Sequence, residues 1–276
     1  MTRLRLGLLL LGLLALAALA APWLGAALGR DAFTPDLFAR YAPPGGDFPL
    51  GADELGRDLL LRLAYGARVS LGVGLAAALA ASLLGTGIGL LAAWRGGWVD
   101  AVLMRLADGL LALPALPILV LLAAMDPAKL GLPRGEALTD ILRIVAILVL
   151  FGWVGVARLA RAAALSLLAQ DYIRAARALG VSEARLLWRH VLPGLRAPVA
   201  VACALSVAGA ILAESVLSFL GLGIQPPAPS WGNMLANAQE AVFAAPLAAV
   251  WPGLAILAAV AGCALVADGV ARERDR

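Results

Sequence analysis

Long apolar runs of about twenty residues, nearly free of charge, dominate this chain, and the segments between them gather Arg, Asp, Gly and Pro. About twenty apolar residues in an α-helix cross the roughly 30 Å hydrocarbon core of a bilayer. The runs predict six spans, at 6–28, 70–93, 106–125, 141–157, 199–222 and 246–267. The fourth is the shortest and carries Arg143 near its start. Strands of a membrane barrel alternate apolar and polar residues over about ten positions, which these runs do not do. The expected fold class is therefore all-α, a polytopic membrane protein of about six transmembrane helices.

Composition agrees. The 276 residues are 62% hydrophobic and 14% charged, against about 25% charged in a soluble domain. The net charge of +4 reports topology rather than nucleic-acid binding. With the N-terminus in the cytoplasm, 14 of the 22 basic residues fall inside: Arg3, Arg5, Arg95, Arg105, seven arginines from Arg158 to Arg196, and Arg272, Arg274 and Arg276. Most acids, among them Asp31, Asp36, Asp47, Asp53, Glu54 and Asp58, fall outside. Basic loops stay inside, so both termini are expected in the cytoplasm of a bacterial inner membrane. Arg3 and Arg5, an apolar stretch and the small residues from Ala18 to Ala21 also fit a cleaved secretory signal. The run continues through Trp23 to Leu28, which favours a retained helix. Cys203 and Cys263 lie inside apolar runs and read as small core fillers.

Three water-exposed segments are long. The outer segment 29–69 is rich in Pro, Gly and Asp and turns helix-like after Asp53. The inner segment 158–198 is basic and helical. The outer segment 223–245 opens on GIQPPAPSWGNML, whose prolines rule out regular helix. Within the inner segment, DYIRAARALGVSEARLLWRHVLP (171–193) places Tyr172, Ala175, Ala176 and Leu179 at helical spacing on one apolar face. Asp171, Arg174 and Arg177 lie off that face. Gly180 ends the first helix and Ser182 offers a partial cap to a second, at 183–191. A basic amphipathic pair of helices of this kind either receives a partner protein or lies in the lipid headgroups.

The pattern Ala175-Ala176, Gly180 and, twelve residues on, Leu192-Pro193 resembles the "EAA loop" of permease subunits in bacterial ATP-binding-cassette importers. Arg174 stands where that family has Glu, and His190 where many members have Ile. GADELGRDLLLRLAYGARVSL (51–71) is similar to a signature of the dipeptide, oligopeptide and nickel branch, in Asp53, Leu55, Gly56, Arg57, Asp58, Arg62, Gly66, Arg68, Ser70 and Leu71. GGWVDAVLMRLAD (96–108) and AILAESVLSFLGLGIQPPAPSWGNML (210–235) add two further blocks in family order. The resemblance is to the shorter, C-type permease of a heterodimeric pair. It implies the type I importer transmembrane fold, with residues 1–69 forming a first helix and outer segment and 70–276 the permease core, its coupling loop at about 158–198. It implies docking of an ATPase subunit on Tyr172, Arg174, Ala175, Ala176, Leu179 and Gly180. The implied partners are two ATP-binding subunits, a second permease and an extracytoplasmic solute-binding protein, with ATP and Mg used by the partners and no cofactor on this chain. Residues 126–140 fit the family pattern poorly and read as an external insertion.

An absence points the same way. A P-loop sets a Lys after a Gly-rich loop to reach phosphates, and the one lysine, Lys129, follows Asp126-Pro127-Ala128. Ionisable groups inside spans are functional candidates. Glu214 reads either as a polar group on the solute path or as a hydrogen-bonding group between helices. Asp108 is expected to pair with Arg105, Asp268 with Arg272, and Arg68 and Arg143 to reach for the outer interface. Trp94, Trp98, Trp153, Trp231 and Trp251 suggest an interfacial belt. His190, the one histidine, lacks partners for a metal site or catalytic dyad. The reading from another class is a stand-alone secondary transporter or channel, which needs ion-coupling groups at the midplane; only Glu214 qualifies.

Overall fold

The computed structural model describes residues 2–126, 128, 136–236, 241 and 243–274, and among these there is no β-strand. Five helices cross without a break: α1 (Thr2–Leu28), α2 (Leu59–Arg95), α5 (Ala137–Leu168), α9 (Arg196–Phe219) and α11 (Leu247–Arg274). The remaining span is broken. Where 106–125 reads as one helix, α3 (Gly97–Ala112) and α4 (Ala115–Ala123) meet at an 84° bend. Leu113 is extended and Pro114 N-caps α4, because the residue before a proline is pushed out of the helical region. The insertion expected at 126–140 lies mostly outside the described residues, and its last residues begin α5.

Helix α2 is the axis of the molecule, packing on α5, α9, α1 and α11. Its 37 residues make about 55 Å of helix, longer than a bilayer core about 30 Å thick. Residues 69 and 70 lie inside α2. Small residues let the helices approach: a Cβ on Gly89 would run into the Ala157 carbonyl of α5, and one on Gly74 would meet Ile211 of α9. Helix α1 belongs to the same bundle. Gly7 packs on Gly262 of α11, and Arg3 bonds Asp268 at 2.7 Å. Ala18 packs in one cluster with Ala255 and Ala259, and Ala21 is fully buried beside it in sequence. Ala18 and Ala21, among the small residues that resembled a cleavage site, are thus packing residues of α1. Outward-facing leucines of α1 such as Leu9 and Leu16 are bare, as a lipid-facing surface is.

The signature GADELGRD folds into a knot over the N-terminal end of α2. The Asp53 carboxylate accepts the amides of Leu55 and Arg57 at 2.9 Å and Arg57 Nε at 2.7 Å, and it is ion-paired with Arg62, whose Nε lies 3.1 Å away. Asp58 N-caps α2 through the amides of Leu60 and Leu61, and Arg62 donates to the Ala32 carbonyl. Gly56 holds φ +73°, and a Cβ there would collide with the Asp36 carbonyl. All four charged side chains, Asp53, Arg57, Asp58 and Arg62, are buried, which a carboxylate and a guanidinium tolerate only when paired.

Candidate functional site

At the end opposite this knot, α5 runs on to Leu168 and turns directly into an elbow: α6 (Asp171–Ala178), α7 (Glu183–Leu186), a π-helical turn (Leu187–Val191) and α8 (Leu192–Gly194), which leads into α9. Leu187, Val191 and Leu195 of its inner face pack with Ala164 of α5 and Ala93 of α2, while Ile173 and Leu186 are fully buried. The outer face is bare. Leu179 is 85% exposed, Trp188 74% and Tyr172 49%, and Ala175 is exposed beside the half-buried Ala176.

The elbow is stiff. Val181 donates to the Ala176 carbonyl and Gly180 to that of Arg177, at 3.1 and 3.0 Å, the paired bonds of a Schellman cap with glycine in the left-handed position; φ at Gly180 is +79°. Across that turn Arg177 grips Glu183 with two bonds, 2.6 and 3.1 Å. That contact raises the Arg177 pKa above its ordinary value, the hydrogen bond to Glu183 being the larger cause. Ser182 makes no side-chain cap bond, so the partial cap expected of it is absent and the ion pair closes the turn instead. Arg174 folds back onto the Ala169 carbonyl at 2.9 Å and lies 3.5 Å from Asp171. The Tyr172 ring sits 6.2 Å from that of His190, which joins α6 to the π turn. The second helix does not stop before Pro193. Proline lacks an N–H and crowds the carbonyl four residues back, and the chain answers with the π turn, in which Leu192 donates to the Leu187 carbonyl.

Glu214 occupies a different place, with 0% of its surface exposed, between α9 and α2. Ser70 donates to its Oε2 at 3.0 Å and Ser218 to its Oε1 at 2.7 Å. An open groove nearby is lined by Ala77 and Ala81 of α2, Phe151 of α5, and Ser206, Gly209 and Ala213 of α9. Glu214 is not on its wall, and of the two readings of this residue the geometry fits the hydrogen-bonding one.

Residues 85–273, which take in α3, α5, the whole elbow, α9 and most of α11, match the family described as binding-protein-dependent transport system inner membrane component. The chain belongs to that family. It is thus a permease subunit of an ATP-binding-cassette importer, a multi-pass membrane protein that works with an ATPase and a binding protein. The permease is 40% identical to the di/tripeptide transport system permease protein DppC of Pseudomonas aeruginosa over 96% of its own length and 84% of that protein's. It is 34% identical to the oligopeptide transport system permease protein OppC of Bacillus subtilis, over 96% and 82%. With the glutathione transport system permease protein GsiD of Pectobacterium atrosepticum it shares 37% identity over 80% and 70%. A stand-alone transporter has no support beside these matches.

In this permease the six elbow residues singled out by spacing and resemblance come together on one short helix and its cap. Sequence reasoning missed the exposed Trp188 of the π turn and the Arg177–Glu183 clasp, whose six-residue separation across a glycine matches no helical pairing rule. Several pairings differ from expectation. Asp108 lies 3.5 Å from Arg158 of α5 rather than pairing within its own helix, since α3 packs on α5. Asp268 does pair with Arg272, at 3.1 Å, and also with Arg3. Arg143 donates to the carbonyls of Leu222 and Met125, just past the C-terminal ends of α9 and α4. Trp153 and Trp231 are core rather than belt, and the Trp231 indole donates to the Leu63 carbonyl.

Proposed function

We propose that this permease carries short peptides into the cell as one half of a pathway completed by a second, homologous but non-identical permease. Two ATP-binding subunits dock on the two elbows from the cytoplasm, and a solute-binding protein delivers the peptide from outside. ATP and Mg are held by the ATPase subunits and no cofactor by this chain, which has no Walker motif and contributes no catalytic group. Both termini lie in the cytoplasm, where the arginines of the elbow also lie. The peptide reading is supported by the names of the relatives above.

The observation that carries the docking role is the bare apolar face of a stiff elbow. Tyr172 and Leu179 are exposed on a short helix and its cap, anchored by the buried Ile173, and an apolar face in water calls for a cover. Arg174, Ala175, Ala176 and Gly180 complete the contact: the alanines let the ATPase surface come close, and the glycine cap sets the angle. Closure of the ATPase pair pushes the elbow, and α5 and α9, which join it at its two ends, tilt the spans between inward-open and outward-open forms.

The test is reconstitution. Vesicles holding this chain, the second permease and both ATPase subunits, supplied with binding protein and a labelled dipeptide, are expected to accumulate the dipeptide only with ATP. Accumulation by this chain alone, without nucleotide hydrolysis, would overturn the reading. Leu179→Asp is expected to lower recovery of ATPase subunits on purification through this chain while leaving its own level in the membrane intact.

A further inference from the structure

The two serines that hold Glu214 each make a second bond, and both second bonds go to the same outer segment. Ser70 Oγ, which donates to Glu214 Oε2, accepts the amide of Trp231 at 3.1 Å. Ser218 Oγ, which donates to Glu214 Oε1, accepts the amide of Ile224 at 3.1 Å. One carboxylate is thus relayed through two hydroxyls to two backbone N–H groups that flank the loop 225–230. A serine hydroxyl has one proton to give and lone pairs to accept with, so each serine can accept a backbone amide and still donate its proton to Glu214. The segment is closed on itself: Asn233 donates to the carbonyls of Ile224 and Ala228, at 3.2 and 2.8 Å. It also lies tight on the helices, for a Cβ on Gly232 would meet Ser215 and Ser218 of α9, and one on Gly66 of α2 would meet Trp231. Ile224 and Trp231 are buried and Pro226 and Pro227, between them, are exposed.

We propose that Glu214 is a positioning residue for the outer mouth of the pathway. Through Ser70 and Ser218 it holds both limbs of segment 224–231 against α2 and α9, so that this segment moves with those helices as one body during transport. The proposal rests on the ATP-driven permease reading for the motion, and on the hydrogen bonds alone for the anchor. Glutamine at 214 offers a donor where the Ser70 or Ser218 proton needs an acceptor, so it breaks one relay and spares the packing.

The experiment uses the assembled transporter carrying Glu214→Gln, Ser70→Ala or Ser218→Ala. Hydrogen–deuterium exchange is read at the outer segment, with ATP and vanadate as the probe of the transport cycle. Exchange of the Trp231 limb is expected to rise about tenfold in Ser70→Ala, that of the Ile224 limb in Ser218→Ala, and at least one limb in Glu214→Gln, with α2 and α9 as protected as before. Labelling of Ala228→Cys by a membrane-impermeant maleimide is expected to change between the nucleotide-free and ATP–vanadate states, and to lose that dependence when Glu214→Gln is added. Unchanged limb exchange in all three variants overturns the anchor, as does exchange that rises equally along α2 and α9, the mark of a general packing role. If the Ala228→Cys protein with Glu214 intact labels alike with and without ATP, the ATP-driven motion is what fails, and the exchange data still decide the anchor.

Discussion

Gly180 has nothing within 4 Å of the place a Cβ would take, yet its φ is +79°. Space is therefore no obstacle to a side chain there and backbone conformation is. A left-handed residue costs an ordinary L-amino acid about 1–2 kcal/mol, roughly a tenfold shift in the population of the elbow geometry. Asn visits that region more readily than Ala, and Val least. ATP-dependent uptake is accordingly expected to fall in the order Gly180, Gly180→Asn, Gly180→Ala, Gly180→Val, with membrane levels measured by blotting unchanged; equal uptake in all four would remove the elbow angle from the mechanism. Asp53 presents the opposite case, a residue defined wholly by its partners. Asp53→Ala leaves the buried Arg57 and Arg62 short of a carboxylate and is expected to cost about 3–5 kcal/mol, seen as a lower melting temperature of the purified complex. Residue by residue, helical spacing was enough to find Tyr172, Ala175, Ala176 and Leu179. Nothing in the order of the letters says that Asp53 and Arg57 are buried, because charged residues in an outer segment read as solvated.

The elbow behaves as a lever only if its two short helices keep their angle, and the Arg177–Glu183 clasp is the side-chain bond that spans the turn. Both partners are about half exposed, so the pair adds little to global stability, and its effect belongs to geometry. Arg177→Glu sets like charges across the turn and is expected to lower uptake per ATP hydrolysed. Arg177→Glu combined with Glu183→Arg restores the attraction and is expected to recover it; a double variant as poor as the single one would place Arg177 in the ATPase contact instead. Elements were legible to the extent that hydropathy carries them. Five unbroken spans could be located, but hydropathy records apolar length and not direction, which is why the 84° break at Leu113–Pro114 reads as a continuous helix in the sequence. Helix α2 starts at Leu59 rather than near 70 because the Asp58 cap and the Asp53 knot, both polar, begin it outside the apolar run. The π turn was hidden too: Pro193 signals a helix end, and the chain instead widens one turn and continues.

At the scale of the whole permease, the elbow and the Asp53 knot are joined by one pair of helices, α2 and α5, the most extensive helix contact among the described residues. Helix α5 leads into the elbow, and α2 carries both the Asp53 knot and Ser70, so a push on the elbow reaches the outer mouth through this pair without crossing a loop. That route requires α2 and α5 to stay in register, and small residues at the seam keep them so. The glycines of α2 allow a controlled test. Gly89 abuts the backbone of α5 at Ala157, whereas Gly87, two positions earlier, faces open space. Both substitutions to Val carry the same change in helix propensity, a few tenths of a kcal/mol, so any difference between them measures the seam. Forcing a branched side chain into a closed contact costs about 1–3 kcal/mol or more. Gly89→Val is therefore expected to lower the melting temperature of the complex and to reduce uptake, while Gly87→Val keeps the melting temperature of the unaltered complex. Equal behaviour of the two variants would mean that α2 and α5 can separate without loss, and that the push travels instead through α9, the other helix leaving the elbow.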